Sequence, residues 1–467
     1  MAACATQTPI AVYITPTVQP LLDSPSEASA SASGLVLTRM ESSVSQQQLH
    51  PTVTWQGSII GPGYVLPPTE TPLPTTPPPT VEGQPTATPG TSSPNFPDVL
   101  PDLDPNRMGV QIDSNLEQAD WDEAMRRVGP DQLAVKWIKL QIAWEDMQPN
   151  GPDDISQYFQ RIELYLEDAD RRQLNIMLSV AKAPQWARST QDQDGPPDDP
   201  QAFANFLSLM LREFGSVVDA IEIWNEPNLS REWTGGLPMS GAGYMQLFAP
   251  AYQAIRAYSP TIQIITAGLA PTGNLTGTVD DRTYLRQMYA AGLANYHDIA
   301  IGIHPYSWAN SPDETCCGVS GWDNDPHFFF ADNVRDARQI MESNGHSDVQ
   351  MWVTEFGWAT WDGFPGQPKQ DSQWVLRNTK WDQANYTIRA FQIGQQTPFI
   401  GPMILWNLNF ATLAGLIENA DERVAYSLVV PGSGGVVDTN STDTTERPLY
   451  WMLYDAVRPV VNLDKYD

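Results

Sequence analysis

The sequence predicts an α/β protein: a (β/α)8 TIM barrel preceded by a disordered Thr/Pro-rich tether. Three observations carry that expectation. The composition breaks near residue 105, because 19 of the 41 Pro residues fall within the first 105 of 467 positions. Beyond the break, eight short β-branched or apolar runs alternate with eight amphipathic stretches, the pattern of βα units around a parallel sheet. No Gly-rich phosphate-binding turn follows any of these runs, which lowers the competing doubly wound open sheet.

Residues 1–105 carry eight acidic residues against one basic residue, Arg39. Runs such as Thr69-Glu70-Thr71-Pro72-Leu73-Pro74-Thr75-Thr76-Pro77-Pro78-Pro79-Thr80 cannot bury a core and read as an extended, polyproline-leaning spacer. Residues 34–66 are less biased, with Trp55, Ile59, Ile60 and Tyr64. At the start, Met1-Ala2-Ala3-Cys4 followed by polar Thr/Pro-rich sequence resembles the end of a bacterial lipoprotein signal, where the Cys becomes the lipidated first residue. The resemblance implies an extracellular or cell-surface protein whose only membrane attachment is a lipid on Cys4.

Residues 106–467 form the expected barrel. The strand runs are Gly109–Asp113, Ala134–Ala143, Asn175–Val180, Ala220–Trp224, Ile262–Ala267, Ile299–Ile303, Gln350–Thr354 and Pro402–Trp406. Helices are expected near 117–128, 155–173, 200–214, 240–258, 283–291, 327–344, 379–396 and 446–458. The second shows the helical spacing clearly, with Ile155, Phe159, Ile162, Leu166 and Ala169 three or four apart.

The whole chain has 55 acidic and 26 basic residues, a formal charge of -29. Nucleic-acid binding needs clustered Lys and Arg to displace counterions, so this balance argues against it, and equally against electrostatic docking on anionic lipid. No run approaches the ~20 apolar residues of a membrane-spanning helix, so a soluble body is expected. Apart from Cys4 the only cysteines are Cys316 and Cys317, which are adjacent. A vicinal disulfide and two free thiols are both open readings.

In a barrel of this kind, chemistry sits at the C-terminal ends of the strands. Strand four ends in Trp224-Asn225-Glu226-Pro227-Asn228, strand six in His304-Pro305-Tyr306, strand seven in Thr354-Glu355-Phe356-Gly357-Trp358 and strand eight in Trp406-Asn407. Glu226 and Glu355 therefore lie on one rim and face each other across the barrel mouth. Two carboxylates facing one pocket are what glycoside cleavage requires. One donates a proton to the leaving oxygen, while the other, ionised, meets the oxocarbenium-like carbon. Mutual repulsion and unequal surroundings separate their protonation states near neutral pH.

These residues resemble the clan A retaining glycoside hydrolases, with glycoside hydrolase family 39 and its relatives the nearest likeness. Ile221-Glu222-Ile223-Trp224-Asn225-Glu226-Pro227-Asn228 is similar to the clan's strand-four signature, and Trp352-Val353-Thr354-Glu355-Phe356-Gly357 to its strand-seven nucleophile segment. The likeness covers essentially 106–467. It implies that Glu226 is the general acid/base and Glu355 the nucleophile. It further implies that Asn225 holds the sugar 2-hydroxyl and that Tyr306 hydrogen-bonds the nucleophile with His304 beside it. Trp406 becomes the apolar floor under the attacked sugar, with a cis bond to Asn407.

Many clan members carry an Arg at the end of strand two, and this sequence does not. Trp137, Lys139 and Gln141 share one face of that strand. If the face points inward, Lys139 either supplies the missing cation or pairs with Glu222. Lys182, just past strand three, is a second candidate. Loop aromatics at Trp186, Trp233, Trp308, Trp322, Trp358 and Trp361 are costly to leave wet, and two or three of them are expected to build sugar subsites.

The five His residues show no i, i+4 pair and no HExxH, and no clustered Asp set appears, so neither a metal nor another cofactor is expected. No GxSxG elbow is present either. The expected partner is an oligo- or polysaccharide, cleaved by double displacement. Transglycosylation and carbohydrate binding on an inactive barrel are the alternatives. The sugar, the linkage and the oligomeric state stay open.

Overall fold

A computed structural model describes residues 100–458 except 274, 318–323, 365, 411–412 and 431–445. Of the tether expected over residues 1–105, the first 99 residues, with Cys4 and the 34–66 stretch, lie outside the described residues, as does Trp322.

Eight strands close into one parallel barrel in chain order. They are β1 (Met108–Ile112), β2 (Trp137–Ala143), β3 (Asn175–Ala181), β4 (Ala220–Ile223), β5 (Gln263–Thr266), β6 (Ile299–Ile303), β7 (Gln350–Phe356) and β8 (Ile400–Leu405). Closure is seen at Val110 of β1, which stands opposite Ile138 of β2 on one side and Leu405 of β8 on the other. The barrel helices are α1 (Gln118–Val128), α2 (Gln157–Arg171), α3 (Pro200–Phe214), α4 (Gly241–Tyr258), α5 (Asp281–Ala290), α6 (Phe330–Ser343), α7 (Lys380–Gln396) and α8 (Pro448–Ala456). This is the expected TIM barrel. No helix among the described residues is long and apolar enough to cross a membrane.

Local chemistry starts the helices where they start. The side chains of Ser156, Asp199, Ser240 and Asp280 accept N–H bonds from the first turns of α2, α3, α4 and α5. Thr379 and Asp382 form a reciprocal capping box on α7. Such caps satisfy first-turn donors that have no partner within the helix. The apolar stripe of α2 buries Phe159, Ile162, Leu166 and Ala169 against the sheet. Burial of a large side chain of this kind is worth about 1.5–3 kcal/mol.

The barrel interior is layered. Its lower layer is apolar, made by Trp137, Met177, Ala220, Ile265, Ala300, Trp352 and Ile404. The rings of Trp137 and Trp352 meet edge to face at 5.0 Å. Gly401 leaves the room they need, since a Cβ there would fall 2.5 Å from the Trp352 indole nitrogen. Above this plug the lining becomes polar and fully buried, with Gln111 in register with Lys139 and Ser179 in register with Glu222. A separate aromatic cluster on the rim includes Tyr306, Trp308, Trp361, Trp374, Trp406 and Tyr426. Packing also begins upstream of the first strand, where Leu100 and Leu103 join the core.

Candidate active site

Glu226 and Glu355 reach the same point by different routes. Glu355 is the sixth residue of the seven-residue strand β7. Trp352 of this strand points into the lumen, and the pairing with β8 then shifts between Val353 and Phe356. That irregularity brings Glu355 to the inner rim, while Phe356 packs outward against Phe391 of α7. Glu226 stands three residues beyond β4. Trp224 and Glu226 both have left-handed backbones, with φ of 75° and 40°. Bulky side chains rarely adopt this conformation, and such strain is kept where surrounding structure overdetermines it. Here the Trp224 indole donates to Glu232 O at 3.0 Å, and Glu226 N donates to Gly268 O at 3.1 Å. The Asn228 amide bonds Ala270 and Val279, tying the loop after β4 to the loop after β5.

The two carboxylates are bridged by a buried network. Glu226, His304 and Glu355 each place one oxygen or ring nitrogen within 4.8 Å of the other two. Lys139 Nζ rises from β2 and lies 3.0 Å from Glu355 Oε1 and 3.0 Å from Glu222 Oε2. It also donates to Thr354 O at 3.1 Å. The Tyr306 hydroxyl donates to the other Glu355 oxygen at 3.1 Å. His304 Nδ1 faces Glu226 Oε1 at 3.1 Å, and its ring sits 3.8 Å from Glu222 and 3.9 Å from Glu355. Gly268 is required beneath it, since a Cβ there would fall 2.2 Å from the His304 ring. Arg231, from the loop after β4, donates to Glu226 Oε2 at 3.1 Å.

These contacts fix charge as well as position. Burial alone pushes the Lys139 ammonium down, but Glu222 and Glu355 outweigh it and hold it above its ordinary value. Burial raises the Glu222 carboxyl, yet Lys139 and His304 hold it well below the usual carboxylate range. His304 is lowered by burial and raised more strongly by Glu355, Glu222 and Glu226, reaching about 9. Tyr306 is pushed well above its ordinary value by burial and by Glu355, so it remains a donor.

Most of the residues singled out in the sequence converge here. Lys139 takes both roles open to it, as partner of Glu222 and as cation on Glu355. Asn225 is 1% exposed, and its Oδ1 has no hydrogen-bond partner. Trp406 stands edge-on to Tyr306 and Tyr426, and its peptide bond to Asn407 is cis. Others are engaged elsewhere. Lys182 pairs with Asp194 at 2.7 Å. Trp186 donates to Gln148 O at 2.6 Å and packs edge-on to Trp144. Trp358 is corrected: two residues past Phe356, it lies on the outward face, where it packs against Phe330 and Tyr386 and donates to Asn310 O. Of the remaining loop tryptophans, Trp233 packs on Trp224, whereas Trp308 and Trp361 join the rim cluster. Cys316 and Cys317 are paired with each other.

Two residues of the site were not anticipated. Arg231 had a visible signal, as an Arg five positions after Glu226 in the same loop. Tyr426, 4.9 Å from the Trp406 ring and 5.7 Å from the Tyr306 ring, had none, because it ends a short 3-10 helix, Glu422–Tyr426, well past β8.

Among the described residues, two groups have the makings of a metal site by proximity, Glu226–His304–Glu355 and Asp280–Asp281–His327. In the first, Lys139, Tyr306 and Arg231 already occupy carboxylate oxygens. In the second, the His327 ring lies between Asp280 and Asp325.

A family model described as cellulase, glycosyl hydrolase family 5, matches residues 122–392. The chain belongs to glycosyl hydrolase family 5. It is thus a glycosidase of clan A, as the strand-four and strand-seven residues implied. No curated protein matches the family 5 chain. Among solved structures, it is similar to a family 39 glycoside hydrolase from the gut symbiont Bacteroides cellulosilyticus WH2. That likeness has 18% identity and a TM-score of 0.54 over 77% of this chain and 65% of the other. The family 5 chain therefore spans just under two thirds of that structure's length. It is also similar to a monomeric beta-xylosidase from Caulobacter crescentus CB15, at 14% identity and TM-score 0.48, covering 76% and 68% of the two chains. A third likeness is to XacCel5A in complex with cellopentaose, at 15% identity and TM-score 0.45, covering 75% and 99%.

Proposed function

We propose that this family 5 chain is an exported, retaining β-glycoside hydrolase, with Glu226 as acid/base and Glu355 as nucleophile. The observation that carries the reading is the placement of the two carboxylates, whose nearest oxygens lie within 4.8 Å of each other. Retention needs carboxyl groups about 5–5.5 Å apart, whereas inversion needs about 6.5–9.5 Å to admit a water between them.

The surroundings suit the two roles. Lys139 and Tyr306 each hold one oxygen of Glu355 and aim it, so it attacks the anomeric carbon as Glu226 protonates the departing oxygen. Glu226, now a base, then takes a proton from water, which displaces Glu355 from the glycosyl-enzyme. Asn225, with its buried Oδ1 lacking a partner, supplies the group for the sugar 2-hydroxyl. Trp406 and Tyr426 form the apolar wall beside the nucleophile.

The substrate class is a β-linked oligo- or polysaccharide. A lipid on Cys4 and the Thr/Pro-rich tether would hold the barrel at a cell surface facing such a polymer. The test is sugar release from a panel of β-linked polysaccharides and aryl β-glycosides, with the first-formed anomer followed by proton NMR. Retained configuration is expected, and an inverted first product overturns the mechanism. For the anchor, fatty-acid labelling in a bacterial host should be lost in Cys4→Ser, and labelling that persists or never occurs removes the anchor.

A further inference from the structure

Both oxygens of the Glu226 carboxylate are held by basic side chains. Glu226 Oε1 is turned inward to His304, so Oε2 is the oxygen left to meet a leaving group. Arg231 occupies that oxygen at 3.1 Å. A guanidinium and an imidazolium on one carboxylate both favour its charged form, which has no proton to give.

A second acceptor lies beside the clamp. Glu232 Oε1 is 3.6 Å from Arg231 Nε. The Glu232 residue is 5% exposed, and its Oε2 is buried without a hydrogen-bond partner. An unmatched buried carboxylate oxygen is costly and draws a donor. Burial pushes the Glu232 carboxyl up, against Lys182 and Arg231, to about 7, so its charge is available near neutrality.

We propose that Arg231 is a removable clamp, which passes from Glu226 to Glu232 when a leaving group enters and so lets Glu226 take up the proton it must donate. This rests on the assignment of Glu226 as acid/base. With Arg231 on Glu232, Oε2 of Glu226 carries a solvent proton and transfers it to the glycosidic oxygen as the bond to the anomeric carbon breaks and Glu355 bonds to that carbon. In the second step water bonds to the anomeric carbon as the bond from that carbon to Glu355 breaks, Oε2 receives the water's proton, and this proton returns to solvent as product departs and Arg231 comes back. Arg231 and Glu232 are positioning residues. The other groups facing Glu226 are His304 after β6, Glu355 on β7, Tyr306 and Tyr426, with Glu222 on β4 beyond the His304 ring. Glu232 is faced by Lys182 and Asp194 from the loop after β3.

The test is the pH dependence of kcat/KM on the phenyl and 2,4-dinitrophenyl β-glycosides of whichever sugar the panel shows cleaved best. Arg231→Gln should move the alkaline limb on the phenyl glycoside up by about 1 pH unit, the size of a neighbouring charge. Arg231→Lys should stay near wild type, and Glu232→Gln should move the limb down. The deciding measurement is the double variant. Once Arg231 is gone, Glu232→Gln should add nothing, whereas a further downward shift equal to its single effect means fixed charges only and overturns the clamp. Unmoved limbs overturn it too. Should Arg231→Gln fail to fold, the same comparison is made with Arg231→Lys. In that background Glu232→Gln should still lower the limb, and no shift overturns the clamp. Glu226→Ala runs alongside. Equal losses on both aryl glycosides overturn the acid/base assignment itself, while a larger loss on the phenyl glycoside with unmoved limbs overturns the clamp alone.

Discussion

The two carboxylates of the rim are held by opposite means. Glu355 lies within a strand, and its partners come from the barrel, Lys139 in mid-β2 and Tyr306 just past β6. Glu226 lies past a strand end on left-handed backbone, and its outer oxygen is held by an Arg of the same loop. The difference suits the roles proposed for the two groups. A nucleophile keeps one charge until it attacks, so a buried, immobile cation suits it. An acid/base changes protonation twice in every turnover, and a cation it could not shed would stop the first step.

The largest effects should fall along this divide. Glu355→Ala removes the proposed nucleophile, and kcat should fall at least about 10^4-fold on every glycoside. Glu226→Ala should cost on the order of 10²–10⁴-fold on a phenyl glycoside and far less on a 2,4-dinitrophenyl glycoside, which leaves without a proton. Kinetics on the two leaving groups check both variants. Leaving-group dependence in Glu355→Ala and none in Glu226→Ala would exchange the two roles.

Stability should divide the same way, on a smaller scale. Lys139 and Glu222 are fully buried, and Glu355 is nearly so. Lys139→Met leaves two carboxylates without their cation, a loss of about 3–5 kcal/mol in denaturant unfolding. Adding Glu222→Gln should restore part of it by removing one stranded charge. Arg231 has a side chain 17% exposed, so solvent reaches it in part, and its removal should cost less than that of Lys139. Similar costs at both sites would mean that the barrel cation is no more fixed than the loop cation.

How much of this was legible depends on what each feature is made of. The barrel was, because each strand and helix announces itself by local periodicity. β6 was found to the residue, and helix α3 over Pro200–Phe214 likewise. Strand β2 begins three residues later than expected because Ala134 takes a left-handed φ of 55°, which no propensity signals. Glu226 and Glu355 were legible because the strand ends of a closed ring converge. Trp358 was misplaced because the pairing shift in β7 changes which residues face in, and such a shift depends on the neighbouring strand. Tyr426 was invisible for a related reason, since a five-residue 3-10 helix is too short to show a period from which a side chain's direction can be read.

His304 touches both halves of the site. Its imidazole lies between Glu226, Glu222 and Glu355 and rises from its ordinary 6.5 to about 9. The folded protein thus binds this proton more tightly than the unfolded chain. Its contribution to stability is fully present below about pH 6.5 and is lost as pH rises through about 9. Urea unfolding midpoints should fall over that window, and the fall should flatten in His304→Asn. Other groups that titrate there act equally in both proteins, so the difference isolates this imidazole. A slope that persists in the variant would place the proton elsewhere, and His304 would then be a neutral spacer between the nucleophile and the acid/base.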